Sequence, residues 1–164
     1  MDRLGNFGFL MKDVSRLSSL NFQRHAVDLN LTLEQCKVLG YLQRNQGITQ
    51  VRLAYLTDTD PMTLMRLLDR MEGDGWVERR PDPADRRARR LHLTPTAAPL
   101  LRRMWRIADR ARAEALAGLS DADGQQLMQL LERIHANLDA LVPGTAEMPR
   151  ARATPRRKRA GAVS

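Results

Sequence analysis

Between Thr49 and Thr94 this chain of 164 residues runs two short amphipathic segments directly into two strand-like segments joined by an arginine-dense turn. The first reads Thr49-Gln-Val-Arg-Leu-Ala-Tyr-Leu56, with Thr49 placed to cap it. The second, Pro61-Met-Thr-Leu-Met-Arg-Leu-Leu-Asp-Arg-Met-Glu72, has Asp60 as its cap and Pro61 at the first position, where a missing amide costs nothing. Leu64, Leu67, Leu68 and Met71 line one face of this helix, so Thr63, Arg66 and Arg70 lie towards the other; Gly75 stops it. In Trp76-Val-Glu-Arg-Arg80 and Arg90-Leu-His-Leu-Thr94, Val77, Leu91 and Leu93 define an inner strand face. The intervening Pro81-Asp-Pro-Ala-Asp-Arg-Arg-Ala-Arg89 is too polar and proline-punctuated for a core and is expected to project as a loop.

Helix, helix, hairpin is the order of a winged helix-turn-helix, and the flanking segments say how it is held. Leu4, Phe7, Met11, Val14 and Leu17 predict a long amphipathic first helix ending before Asp28. Thr32 with Gln35 forms a capping-box signature, and Val38, Leu39 and Leu42 supply the stripe of a second helix ending near Asn45-Gln-Gly47. Thr94-Pro95 is read as the cap of a fifth helix running through Leu101, Met104, Trp105, Ala108 and Ala111 to about Ala117. Ser120 caps a sixth, along which Leu127, Leu131, Ile134, Leu138 and Leu141 form a heptad seam. These long helices outnumber what a compact winged unit needs to cover its core, and a symmetric homodimer is a simpler explanation than a monomer that folds them back upon itself. The expected fold is mainly α with a small β-hairpin wing: one domain over 1–142, with dimerisation helices at 1–30 and 95–142 and a DNA-binding unit at 32–94.

The net charge of +8 says less than its distribution. Arg150, Arg152, Arg156, Arg157, Lys158 and Arg159 stand against Glu147 alone, so +5 of the excess falls in 143–164. That stretch has too few large apolar residues to offset the entropy of ordering it, and a disordered basic tail is expected, either solvated or attracted to phosphates. No apolar run approaches the ~20 residues that cross a bilayer. The N-terminal Met1-Asp-Arg-Leu-Gly-Asn-Phe does not read as a secretory signal, and a cytoplasmic protein is expected. The single Cys36 excludes a disulfide framework within the chain; beside an apolar stripe it reads as a buried, inert thiol. His25, His92 and His135 are scattered, with no glycine-rich phosphate loop and no His-Glu metal spacing, so no catalytic residue, metal or cofactor is expected.

The major groove of B-DNA admits one helix, and a helix-turn-helix places its second helix there. On that helix Arg66 can reach guanine O6 and N7 or a phosphate, Thr63 can meet a base or a thymine methyl, and Arg70 suits the backbone. The competing reading pairs Arg66 and Arg70 with Asp69 or Glu72 on a solvated face. Six arginines fall between Arg79 and Arg90 with only Asp82 and Asp85 opposing them, a density that calls for an anionic partner. Arg86 and Arg87 at the loop tip, with Arg89 beside them, suit a narrow minor groove. A winged module binding an RNA backbone or an acidic protein remains the alternative.

The stretch Asp85-Arg-Arg-Ala-Arg-Arg-Leu-His-Leu-Thr94 resembles the wing of the MarR family of transcriptional regulators: Asp, any residue, Arg, three residues, an aliphatic, any residue, Leu-Thr. Leu67-Leu-Asp-Arg-Met-Glu-Gly-Asp-Gly-Trp-Val-Glu-Arg-Arg80 is similar to the end of that family's recognition helix and its first wing strand, and Thr32-Leu-Glu-Gln35 to its second-helix start. Ala97-Ala98-Pro99, where many members carry a glycine, looks more like the SlyA branch; the basic tail is not a family feature. The resemblance spans roughly Leu4 to Leu141. It implies a triangular homodimer on a pseudo-palindromic double-stranded DNA operator, a repressor relieved by a small aromatic acid, phenol, thioester or oxidant. By that likeness Thr63, Arg66, Arg86 and Arg87 carry the DNA contacts, and the effector pocket lies among the first, second and fifth helices. Phe22, His25 and Trp105 are its candidates by position, although a lone histidine or tryptophan on such a helix is more often packing.

Overall fold

The computed structural model describes residues 3–85 and 88–141. Arg86 and Arg87, and the basic stretch 143–164, lie outside the described residues. After a 3-10 turn at Arg3–Asn6, the helices are α1 (Phe7–His25), α2 (Leu33–Arg44), α3 (Gln50–Thr57), α4 (Pro61–Gly73), α5 (Ala98–Ala115) and α6 (Asp121–Leu141). Strands β1 (Ile48–Thr49), β2 (Val77–Pro81) and β3 (Arg89–Leu93) form one antiparallel sheet in the order β1-β3-β2. The chain is thus mainly α with a small β wing.

Local chemistry sets these boundaries. The Thr32 hydroxyl accepts from the Gln35 amide while the Gln35 side chain accepts from the Thr32 amide, completing the capping box of α2. Thr49 accepts from the Arg52 amide at the start of α3, and Asp60 Oδ1 from the Met62 and Thr63 amides at the start of α4. At Gly75 the backbone turns to φ +74°, a left-handed conformation that glycine adopts without Cβ strain, and the chain leaves α4 for β2. Ser120 and Asp123 cap α6 reciprocally through hydroxyl, carboxylate and both amides.

The core is the interior of the winged unit. Leu64, Leu67, Leu68 and Met71 from α4 meet Val38, Leu39 and Leu42 from α2, Leu53 from α3, and Val77 and Leu91 from the sheet. Leu101 and Met104 of α5 close its remaining side. In contrast α1 and α6 bury no residue within the chain. Asn21 Nδ2 donates to the Ala111 carbonyl at 3.1 Å, while Arg24 and His25 both reach Glu114 Oε2 at 2.7 Å, joining α1 to α5.

Two features differ from the sequence reading. Ile48 and Thr49 pair with Leu91 and Arg90 as a third strand. Two residues wedged between a glycine turn and a helix cap are too few to show alternation. The Thr94 side chain does not cap α5; its hydroxyl donates to the Gly75 carbonyl, and a 3-10 turn at Pro95–Ala97 precedes the helix. Pro99, lacking an amide proton, cannot bond back to the Pro95 carbonyl, so a regular α-helix starting at Pro95 is interrupted at its first hydrogen bond.

Candidate nucleic-acid interface

Packing of the α4 stripe leaves Met62, Thr63, Arg66, Asp69 and Arg70 on the solvent side. Thr63 is partly engaged, its hydroxyl 3.3 Å from Asp60 Oδ1. Asp69 and Glu72 do not pair with Arg66 or Arg70. Both carboxylates are taken by Arg79 from β2: Nη2 lies 2.7 Å from Asp69 Oδ1, Nη1 donates to Glu72 Oε2, and the Arg79 amide donates to Glu72 Oε1 at 3.0 Å. Arg66 and Arg70 are left exposed, with no ion pair or hydrogen bond among the described residues. The local neutralisation that would silence the recognition face is spent instead on bolting the wing strand to the helix.

The wing arginines divide accordingly. Arg90 Nε donates to Asp82 Oδ2 at 2.7 Å and Nη1 to the Gly47 carbonyl at 3.0 Å, tying the wing base to the turn before β1. Gly47 stands at φ +79° under the His92 ring, a position closed to a side chain by its backbone conformation. Arg80 pairs with Glu78 on the same strand. Arg89 is exposed at the start of β3. Of the six arginines counted in the sequence, Arg79 and Arg90 therefore hold the scaffold, which narrows the charge offered to a partner. Arg86 and Arg87 lie outside the described residues, between Asp85 and Ala88.

Asp82 is buried, and its carboxyl is held below the usual carboxylate range, first by the Ala84 amide at 2.9 Å and then by Arg90. A carboxyl with a depressed folded-state pKa binds fewer protons than its unfolded counterpart, so its stabilising contribution is complete above the ordinary aspartate range near pH 3.9 and disappears as pH falls through the folded value. Asp82→Asn is therefore expected to lower the thermal midpoint at pH 7 by more than it does near pH 3. An equal drop at both values would detach Asp82 from the acid sensitivity of the wing.

A model of the MarR family matches residues 29–88, the stretch from the end of the first helical region through most of the wing. The crystal structure of the transcriptional regulator PA3341 is 35% identical, with a TM-score of 0.72 over 82% of this chain and 98% of that one. The chain belongs to the MarR family. A MarR family transcriptional regulator from Silicibacter pomeroyi is 25% identical, with a TM-score of 0.72 over 82% of this chain and 90% of its own. A MarR mutant from E. coli, solved in complex with operator DNA, is 27% identical with a TM-score of 0.65 over 82% and 99%. Members of this family are transcription regulators and not enzymes.

In this MarR family chain, α1, α2 and α5 line an open cavity of about 400 Å³. Phe22 and Trp105 line it together; Tyr41, Lys37, Arg44 and Cys36, not singled out as pocket residues from the sequence, line it as well. The Trp105 indole donates to Gln43 Oε1 and lies under the Arg44 guanidinium, 5.6 Å from the ring centroid, so α5 is keyed to α2 at the cavity wall. Burial, and secondarily the Glu34 carboxylate, push the Cys36 thiol up to about 11, which keeps it protonated and weakly reactive at neutral pH. His25 is not in this cavity. It lines a separate one, and its hydrogen bond is the leading reason that the Glu114 carboxyl sits below its usual range.

Met62, 55% exposed at the start of α4, and Val51 and Tyr55 on α3 are also exposed beside this face and were not singled out from the sequence. The available signal was exclusion: Met62 falls outside the 64, 67, 68, 71 stripe, and an apolar residue off the stripe at a recognition-helix start can meet thymine methyls.

Proposed function

We propose that this regulator is a sequence-specific double-stranded DNA-binding repressor that acts as a homodimer on a pseudo-palindromic operator and is relieved by a small effector. The observation that carries the reading is the α4 face: Arg66 and Arg70 are exposed and unpaired among the described residues, on a helix clamped to its wing by Arg79. In this arrangement Arg66 reads a base edge, Thr63 supports it, and Arg70 with Arg86, Arg87 and Arg89 neutralises phosphates or enters the minor groove. Residues 32–94 form the reading unit, 1–30 and 95–142 the dimerisation helices, and the basic stretch 143–164 adds sequence-independent phosphate attraction. The cavity between α1, α2 and α5 suits an aromatic acid or thioester, with Phe22, Tyr41 and Trp105 offering faces and Lys37 and Arg44 offering charge. Such a ligand would bias the contact between α5 and α2, and through α2 the placement of α3 and α4.

Arg66→Ala is expected to lower discrimination between operator and random duplex by about 1–3 kcal/mol, whereas Arg87→Ala weakens binding to every duplex and makes the salt dependence shallower by about one unit of slope. Fluorescence anisotropy of both duplexes across a salt series measures both quantities. Wild-type behaviour by both variants on a footprinted operator, or equal affinity for an A-form RNA duplex, would be incompatible with these assignments.

A further inference from the structure

Successive residues of an α-helix are rotated by about 100°, so α5 has two opposed faces. Met104, Trp105 and Ala108 turn to the effector cavity; Arg103, Arg106, Ile107 and Arg110 turn the other way. With His25 at the end of α1 and Asp28 in the following turn, this second face lines a separate cavity of about 280 Å³. None of its residues belongs to α3, α4 or the hairpin.

The lining carries three guanidinium groups and an imidazole against a single carboxylate, that of Asp28. Arg103 Nη2 donates to the Asp28 carbonyl oxygen at 2.9 Å. Arg110 Nε is 3.7 Å from Glu114 Oε1, a carboxylate that already serves Arg24 and His25. Arg106, exposed between them, has no ion pair or hydrogen bond among the described residues. Arg103 and Arg106 are three residues apart and Arg106 and Arg110 four, spacings at which like charges on a helix repel. Two arginines on neighbouring turns of an exposed helix cost little; three converging on a concavity whose lining holds one carboxylate, with Glu114 outside it already shared, leave an excess of positive charge and form a receptor for negative charge. A guanidinium fork matches phosphate oxygens in pairs, and three forks exceed what one small carboxylate can occupy.

We propose that His25, Arg103, Arg106 and Arg110 form an anion site for a free ligand bearing two or more phosphate groups, separate from the effector cavity and from the DNA-reading face. The same phosphate chemistry could come from the backbone of bound duplex, so the test has two arms. In the first, inorganic pyrophosphate is titrated calorimetrically, at low salt, into the full chain as wild type, Arg106→Gln and Arg103→Gln/Arg106→Gln. The single change is expected to weaken binding about tenfold or more and the double to abolish it. All three proteins keep 143–164, so the basic stretch contributes equally; identical titrations would assign the heat to that stretch and overturn the site. In the second arm, the salt dependence of operator binding is expected to be the same for wild type and the double variant. A shallower slope in the double variant would give these arginines to the duplex backbone and overturn a free ligand. Because the first arm needs no operator, its outcome stands apart from that of the DNA-binding reading.

Discussion

Leu68→Ala is expected to destabilise the protein by about 2–5 kcal/mol and to remove operator binding with it. Leu68 is fully buried at the centre of the α4 stripe, among side chains that approach from α2, α3 and the sheet. Truncation loses the transfer free energy of the deleted methyl and methylene groups and leaves a cavity that elements converging from several directions cannot collapse to fill. Against a typical total of about 5–15 kcal/mol this is a large fraction. Its functional effect follows from position: Leu68 lies between Arg66 and Arg70, so any adjustment of α4 that fills the void moves both guanidinium groups. Urea unfolding at fixed protein concentration, which removes any contribution of subunit association from the comparison, gives the first quantity, and operator anisotropy the second. Leu68→Met, which nearly conserves volume, is expected to cost less than about 1.5 kcal/mol and to keep binding. A loss below 1 kcal/mol for the alanine variant would mean that the core does not depend on this face of α4.

The helical framework was legible because its signals are local. Thr32 with Gln35, Thr49, Asp60 with Pro61, and Ser120 each cap the helix expected of them, and the 64, 67, 68, 71 spacing marks the buried face of α4 without tertiary information. What was missed depends on partners distant in sequence. The strand at Ile48 exists because Leu91, 43 residues later in register, accepts it; the behaviour of Thr94 depends on the Gly75 carbonyl, 19 residues away.

The same limit applied to the functional face. Residue types and their density in the wing pointed to an anion, but counting cannot separate an arginine that holds the fold from one that meets a ligand. Arg79 spends its charge on Asp69 and Glu72, and Arg90 on Asp82 and Gly47. Both carboxylates that might have quenched Arg66 and Arg70 from within α4 are thereby withdrawn, a result visible only once β2 is laid against the helix. His25 illustrates the converse. Its position near the end of α1 suggested the cavity between α1, α2 and α5, but the last turn of that helix carries it to the arginine-lined face of α5, where Glu114 holds it.

The second large effect concerns α6. A helix of 21 residues that fully buries none of them within its own chain, with Leu131 and Ile134 only half-buried, gains little stability there beyond its backbone and its cap, yet it carries a leucine and isoleucine seam with heptad spacing. Phe9 and Leu10 on α1, which likewise buries nothing, are exposed by 73% and 63%. Two amphipathic helices that leave their apolar stripes largely uncovered are most simply completed by a second copy of the chain. Leu127→Glu/Leu138→Glu places charges at two seam positions that are 39% and 55% exposed in the single chain, so the winged unit itself should be undisturbed. In a dimer the same substitutions would bury four unpaired carboxylates around the two-fold axis, a cost the association cannot meet. The variant is expected to sediment as a monomer with unchanged core stability and to lose operator affinity by about 10²–10⁴-fold, because the second half-site is no longer bound at the high effective concentration that linkage provides. A variant that stayed dimeric and bound operator like wild type would place the subunit contact elsewhere and leave the α6 seam unexplained.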